Sequence, residues 1–179
     1  PAKALLNTLL LAFTCIFLAS GLSHTPASAA TDITIYYDAL AGSWDDWSWE
    51  SPPSVFNFNA NSPVHGGNHS IAITFNQGWH GLSLYTSSPI NTSGYLSIDF
   101  WAYGGAGGTQ INFYTQSSGD GGQSTIQALL LPANIWTHFS VPLSDLGNPG
   151  GIARINWQEN TGGVQPTFYL DDILLVGDG

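Results

Sequence analysis

The stretch YLSIDFWAY, residues 95–103, alternates apolar and polar side chains at every second position. Successive side chains of a β-strand point to opposite faces, so the alternation predicts a strand with one apolar face formed by Leu96, Ile98 and Phe100. The opposite face carries Tyr95, Ser97, Asp99 and Trp101. A strand of this kind packs one side on a core and leaves the other side to solvent.

The rest of the chain repeats this pattern. Short runs rich in β-branched and aromatic residues alternate with turn-forming clusters such as NQG, GGAGG, SSGDGG and LGNPGG, and no sustained helical period follows residue 31. Further strands are predicted at 33–38, 47–50, 55–59, 70–75, 81–85, 110–116, 125–131, 136–141, 153–158 and 167–176. Many short strands between turn signals predict an all-β fold, a two-sheet antiparallel sandwich or a barrel.

The first thirty residues differ from the rest. Lys3 precedes a long apolar run, and Ala27-Ser28-Ala29 supplies the small-residue pattern at which signal peptides are cleaved. A membrane anchor is the alternative, but polar residues interrupt the run and no basic cluster follows it. We therefore expect a secretory signal at 1–30, a secreted protein without a membrane segment, and a single domain at 31–179.

Charge and cysteine content exclude several functions. The chain has 12 acidic and 2 basic residues and a formal net charge of −10, so nucleic acid and anionic membranes are poor partners. Cleavage of the signal would remove Lys3 and the single cysteine, Cys15, leaving Arg154 as the sole strongly basic side chain. We expect a monomer without disulfides or a catalytic thiol.

Two more predicted strands carry a polar face opposite an apolar one. In QINFYTQ, residues 110–116, and ARINWQ, residues 153–158, the polar faces hold amides, a tyrosine and Arg154. If these strands neighbour residues 95–103, the polar faces merge into one surface where Arg154 pairs with Asp99. Aromatic rings interleaved with amides and carboxylates suit a sugar, which stacks on rings and hydrogen bonds through its hydroxyls.

This surface is the predicted binding site. Its residues, on a concave sheet face with one tryptophan from a neighbouring loop, are Asp99, Trp101, Asn112, Tyr114, Arg154, Asn156, Gln158 and Trp79. The alternative is an ordinary solvent face without a ligand.

The most conspicuous stretch is GSWDDWSWE, residues 42–50, with three tryptophans and three acids. In an extended conformation, Trp47 and Trp49 share one face and Trp44 lies on the other. Buried tryptophan is the commoner situation, so we predict that Trp47 and Trp49 enter the core. Trp44, or Trp79 in the loop NQGWHG, is then the aromatic platform at the edge of the site.

A pair of acids, Asp171 and Asp172, lies inside the apolar run TFYLDDILLV. Buried carboxylates are costly unless they are paired or bind a metal, and basic partners are scarce here. Calcium accepts carboxylate and carbonyl oxygens, so a structural calcium ion is predicted, with Asp38 as a further ligand if the chain ends meet. Alternatively, these acids end their strands in water.

Four segments together resemble the jelly-roll, galactose-binding-like carbohydrate-binding modules. These are GNHSIAITF, GYLSIDFWAY, WTHFSVPLSDLG and above all FYLDDILLV as the last strand. The resemblance implies a jelly-roll β-sandwich over residues 33–177. It also implies a structural calcium held by Asp38, carbonyls near Gly67 and Asn68, and Asp171 or Asp172. The sequence ends at VGDG without a catalytic domain, so we expect a free-standing, secreted lectin-like protein or a wall- or matrix-associated protein.

Three functions are weighed. The leading hypothesis is a secreted, non-catalytic protein that binds a neutral, β-glucan-like polysaccharide. The second is an extracellular matrix, coat or adhesion protein without a sugar ligand. The third is a small glycoside hydrolase or lyase, for which the available acids are Asp45, Asp46, Glu50, Asp99 and Glu159. These acids have no recognisable catalytic spacing, and no hydrolase motif occurs, so we predict that the protein is not an enzyme.

Overall fold

A computed structural model describes residues 29–49 and 54–179. Most of the predicted signal, 1–28, lies outside the described residues. Within the described part, no helix is long and apolar enough to cross a membrane. The strands are β1 (Ile33–Tyr37), β2 (Ala39–Leu40), β3 (Asp45–Asp46), β4 (Val55–Ala60), β5 (Ser70–Thr74), β6 (Gly81–Asn91), β7 (Tyr95–Tyr103), β8 (Thr109–Gln116), β9 (Gln127–Leu131), β10 (Trp136–Pro142), β11 (Gly151–Glu159) and β12 (Phe168–Gly177).

The strands form two antiparallel sheets. Sheet 1 has seven strands in the order β10-β7-β12-β1-β2, with β5 also paired to β12 and β4 paired to β5. Sheet 2 has five strands in the order β3-β6-β11-β8-β9. The last strand, β12, pairs with the first, β1, so these two strands are neighbours in sheet 1. This is the jelly-roll β-sandwich predicted from the alternation and the resemblance.

The apolar faces of the two sheets pack on each other, as the alternation predicts. Phe100 of sheet 1 contacts Phe113 and Trp157 of sheet 2, with ring centroids 5.3 Å and 5.5 Å apart, and all three side chains are fully buried. Burying a large apolar side chain contributes about 1.5–3 kcal/mol, so this aromatic cluster is a main source of stability.

Residues 44–49 differ from the prediction. Trp44 lies in the core with 5% of its surface exposed, whereas Trp47 is 44% exposed. The prediction that Trp47 and Trp49 are core residues is therefore wrong. The reason is that this segment runs along the edge of β6, through β3 and a single bridge between Trp49 and Gly81, and turns both rings to the outside of sheet 2.

Candidate functional site

The polar faces of β8 and β11 merge, as predicted, because these strands are neighbours in sheet 2. Arg154 lies opposite Gln116, Asn156 opposite Tyr114, and Gln158 opposite Asn112. Strand β7 belongs to sheet 1, however, so Asp99 and Trp101 lie on the other side of the sandwich. The predicted single surface, with its pair between Arg154 and Asp99, is wrong because β7 is not a neighbour of β8 or β11.

The outer surface of sheet 2 is here called the tryptophan face. It is defined by Trp47, Trp49, Trp79, Tyr114, Arg154 and Gln158. Its first feature is the placement of the Trp47 and Trp49 rings. The Trp47 ring stacks on Tyr85 at 3.7 Å, and the backbone amide of Trp47 donates to the carbonyl of Ser83.

Trp49 lies against β6 at a position without a side chain. A Cβ atom on Gly81 would come within 2.3 Å of the Trp49 ring, so glycine is what lets the ring lie on the sheet. The indole nitrogen of Trp49 donates to the carbonyl of Trp79 at 2.9 Å. The two rings predicted to be buried therefore belong to the candidate site. The sequence contains a signal that these rings are not in the core. In an extended strand, Asp45 shares a face with Trp47 and Trp49, and an acid seldom shares a face with core residues.

Arg154 connects the strands beneath these rings. Its Nε donates to Ser83 Oγ at 2.9 Å, and one terminal nitrogen donates to the carbonyl of Gly119 at 2.7 Å. The guanidinium carbon lies 5.8 Å from the Trp47 ring centre and 5.7 Å from that of Trp49, within the range of cation–π attraction. Arg154 therefore supports both the exposed Trp47 ring and the half-buried Trp49 ring.

These residues enclose an open depression of about 320 Å³. Its lining consists of Trp49, Tyr114, Gln116, Arg154 and Gln158. Two other depressions, of about 280 and 270 Å³, lie elsewhere and contain no tryptophan. Volume does not distinguish the three, and the first of the other two also has a tyrosine beside two asparagines. The depression beside Trp49 differs in combining a tryptophan ring with amide groups and a guanidinium group, a combination that suits sugar rings.

Trp79 marks one end of this surface and is 59% exposed. Its carbonyl also accepts a hydrogen bond from Gln158 at 3.1 Å, and its amide donates to the carboxylate of Glu159 at 3.1 Å. Glu159 is fully buried and also accepts from Thr161, Gly162 and Gln165. Burial alone would raise the pKa of Glu159, but these hydrogen bonds outweigh it and hold the pKa below its ordinary value.

Three residues of the predicted sugar-binding site, Tyr114, Asn156 and Asn112, are less accessible to a ligand than expected. Tyr114, predicted to be exposed, is 7% exposed, and Asn156 is fully buried with its amide nitrogen directed at the Tyr114 carbonyl and Gln116. Burial also raises the pKa of the Tyr114 hydroxyl. Asn112 accepts a hydrogen bond from Asn160 at 3.1 Å. Alternation assigned the face of these side chains correctly but not their depth.

Asp99 and Trp101 belong to a second surface, here called the histidine face. It is defined on the outside of sheet 1 by His65, Asp99, Trp101, Tyr103, Trp136 and His138. The His65 ring stacks on Trp101 at 3.7 Å. Asp99 accepts hydrogen bonds from Ser97 and Ser140 and lies 3.1 Å from the His138 ring nitrogen. The groups on this face therefore bind one another.

The acids predicted to bind calcium surround one loop, 65–69. Asp38 accepts the amides of Asn68 and His69 at 2.5 and 2.8 Å, which holds its pKa below the ordinary value. A Cβ on Gly67, whose φ is +63°, would lie 2.3 Å from the Asp38 carboxylate. Asp38 and the loop are therefore closely fitted to each other.

The other two acids hold the start of the same loop. Asp171 is fully buried and accepts the amides of His65 and Gly66 at 2.9 and 3.2 Å. Burial raises the pKa of Asp171, although these amides favour its charged form. Asp172 binds the His65 ring nitrogen at 2.7 Å through one oxygen.

These contacts bear on the fit of a calcium ion. Among the described residues, no three acidic, histidine or cysteine side chains come together as a metal site requires. Most carboxylate oxygens here already accept N–H groups, whereas calcium needs six to eight oxygen ligands. One oxygen of Asp172 is buried without a hydrogen-bond partner and is the one free ligand in this group. Calcium binding by Asp38, Asn68, Asp171 and Asp172 stays a prediction.

Comparison with known proteins supports the fold. No protein-family model matches the chain. The family 11 carbohydrate-binding module from Clostridium thermocellum, solved in complex with a β-1,3-1,4-mixed-linked tetrasaccharide, matches with a TM-score of 0.61. Identity is 14%, covering 84% of this chain and 98% of the module. The chain is thus a jelly-roll β-sandwich of the type found in carbohydrate-binding modules.

Two other similarities point in different directions. The K1 cleaved adhesin domain of Lys-gingipain from Porphyromonas gingivalis W83 has a TM-score of 0.62 at 14% identity, covering 84% of this chain and all of that domain. An endoglucanase of Dictyostelium discoideum is 28% identical over 154 residues. The match covers 82% of this chain but 21% of the endoglucanase, so the chain spans about a fifth of that relative. At these identities, fold is what the structural matches establish.

Proposed function

We propose that this is a secreted, non-catalytic protein that binds a neutral polysaccharide of the β-glucan type on its tryptophan face. The observation that carries the proposal is the open depression in which the Trp49 ring lies beside Gln116, Arg154 and Gln158. Sugar C–H faces stack on such rings, and hydroxyls pair with amide and guanidinium groups. The oligosaccharide complex of the similar family 11 module supports this ligand class.

The lining of the depression favours binding over hydrolysis. A glycosidase requires two carboxyl groups flanking the scissile bond, and the five lining residues include no acid. Of the acids considered in the sequence, Glu159 is buried and fully bonded, and Asp99 lies on the opposite sheet. Asp45 and Asp46 are exposed beside the face, and Glu50 lies outside the described residues.

An adhesion function is the second candidate. The similarity to the adhesin domain of Lys-gingipain favours it, since that domain has the same fold. It predicts binding to a protein partner and no retention on polysaccharides, whereas the first proposal predicts retention on a sugar polymer.

The test is retention of the protein on insoluble cellulose, xylan, chitin and β-1,3-glucan, and on mixed-linked β-glucan in affinity gels. We expect selective retention on β-glucan, and a loss of retention for Trp49→Ala with an unchanged circular dichroism spectrum. Trp44→Phe, a conservative change in the core, is the matched control and should bind normally. Absence of retention on every polymer would refute the proposal, as would full retention by Trp49→Ala.

Calcium binding remains a separate proposal about stability. The free Asp172 oxygen supports it, whereas the amide bonds of Asp38 and Asp171 compete with it. If calcium binds at this loop, adding it to EDTA-treated protein raises Tm, because a ligand that binds only the folded state stabilises it. Asp172→Asn should then reduce the rise. An identical Tm with calcium and with EDTA would contradict the proposal.

A further inference from the structure

Arg154 carries a charge that no described carboxylate neutralises by contact. The sequence contains one lysine, Lys3, and one arginine, Arg154. Of these two, Arg154 lies within the described residues. Both ion pairs found there join a histidine to an aspartate. Arg154 itself donates to neutral oxygens, the Ser83 hydroxyl and the carbonyls of Gly119 and Trp47. An unpaired arginine is unexpected in a chain with 12 acids.

The guanidinium retains capacity for a ligand. It has five N–H groups, and three hydrogen bonds to the protein account for three of them. The remaining two belong to a side chain that lines the depression together with Gln116 and Gln158. Arginine prefers carboxylates because its planar fork matches their two oxygens, and such charge-assisted bonds are roughly twice as strong as neutral ones.

We propose that the tryptophan face takes a sugar chain bearing a carboxylate, with a uronic acid group bound by Arg154. This inference rests on the proposed function, because the same face binds the chain. The neutral sugar rings stack on the tryptophans, and the carboxylate receives the two remaining N–H groups. The acid adds specificity to a surface whose other lining side chains are neutral.

The charge of the whole molecule limits how acidic the chain is. The net charge is −10, and exposed Asp45, Asp46 and Asp120 lie on the segments that flank Arg154. At physiological salt, charges separated by more than about 8 Å are largely screened, so direct contact with Arg154 dominates for a single carboxylate. A chain with an acid on every sugar meets repulsion from these aspartates. The ligand is therefore a mainly neutral chain with occasional uronic acid groups.

The test compares three matched ligands by calorimetric titration of the unmodified protein. They are cellotetraose, the same tetraose with one glucose replaced by glucuronic acid, and the methyl ester of that acid. We expect the acid to bind at least about fivefold more tightly than the ester, since a charged partner adds about 1 kcal/mol to a hydrogen bond. The ester should match cellotetraose, and raising the salt concentration should reduce the advantage of the acid.

Substitution of Arg154 gives a second readout. Because Arg154 also supports Trp47 and Trp49, the ratio of acid to ester affinity is the quantity to compare. Arg154→Gln should bring this ratio to about one, and Arg154→Lys should retain part of it as a point charge. Equal affinity for acid and ester in the unmodified protein would overturn the inference and leave the proposed function standing. No binding of any of the three ligands would overturn both.

Discussion

The two outer faces of the sandwich are built from the same kinds of residue. Both carry tryptophan, polar side chains and a charged group. On the histidine face these groups are partnered within the protein, since His65 covers Trp101 and Asp99 accepts hydrogen bonds from two serines. On the tryptophan face, Trp47 and Trp79 are 44% and 59% exposed, and Arg154 has no acidic partner.

The difference shows that composition alone does not define a binding surface. A ligand gains free energy from groups whose capacity for stacking and hydrogen bonding is not already used by the protein. On the histidine face, Trp101 stacks on His65 of the 65–69 loop, and Asp99 bonds to its neighbours Ser97, Ser140 and His138. On the tryptophan face, Trp47 and Trp79 are exposed to solvent beside an open depression lined by Trp49 and Arg154. We therefore expect substitutions on the first face to change stability and those on the second to change binding.

The largest effects should come from exchanging one tryptophan on each face for alanine. Trp47→Ala removes an exposed ring, so affinity for β-glucan should fall about fivefold, as the loss of about 1 kcal/mol of stacking implies. Trp101→Ala removes a half-buried ring beneath His65, so the free energy of unfolding should fall by about 2 kcal/mol, less than for a fully buried tryptophan. Affinity electrophoresis and urea denaturation measure the two quantities on both variants.

Each variant is the control for the other. Trp47→Ala should lose less stability than Trp101→Ala, because the Trp47 ring is 44% exposed and its removal costs mainly the stacking on Tyr85. Trp101→Ala should keep its affinity. Reduced affinity in Trp101→Ala with an intact fold would show that the histidine face also binds sugar, and the contrast between the two faces would fail.

An intermediate effect is expected at Gly81, which keeps Trp49 in place. Gly81→Ala introduces a Cβ that would lie 2.3 Å from the Trp49 ring, so the ring must move from its position on β6. We expect a two- to threefold loss of affinity, smaller than removal of a ring because stacking in a shifted position remains possible. Gly42→Ala is the matched control, since nothing lies within 4 Å of the Cβ it would add. Equal affinities for the two variants would contradict the role given to Gly81.

The sequence predicted the fold because the fold depends on local alternation. The runs at 95–103, 110–116 and 153–158 each contain a strand whose apolar face packs in the core, except that Leu96, predicted on that face, is 57% exposed at the start of β7. It could not predict which strands are neighbours, because pairing joins residues far apart in the chain. That is why Asp99 and Trp101 were assigned to the wrong sheet while Arg154 and Gln158 were placed together correctly.

Local sequence patterns also do not predict how deeply a side chain is buried or how a segment packs at the edge of a sheet. Asn156 alternates like an exposed residue but is fully buried. Trp44 and Trp47 exchange the places predicted for them, because residues 44–49 follow the edge of β6 rather than forming a central strand. The packing of a short edge segment depends on the partner strand, here on the missing side chain at Gly81.

The smallest effect on binding is expected from pH, and it tests whether Glu159 keeps the Trp79 end of the tryptophan face in place. The pKa of Glu159 is lower in the folded protein than its ordinary value, so its ionised form stabilises the fold. That stabilisation is fully present above the unfolded pKa, about 4.3, and is lost as pH falls through the lower folded pKa. Affinity for neutral β-glucan should therefore change by less than about twofold between pH 7 and 5.

The matched variant for this prediction is Glu159→Gln, which keeps the size of the side chain and removes its charge. The unmodified protein should be more stable than the variant at pH 7, because the variant replaces acceptors of five hydrogen bonds with an amide. The difference in free energy of unfolding should stay constant down to about pH 5 and shrink in more acid solution. Urea denaturation at several pH values measures it. A difference that grows on acidification would mean that the folded protein raises the pKa of Glu159, and the carboxylate would then not stabilise this end of the face.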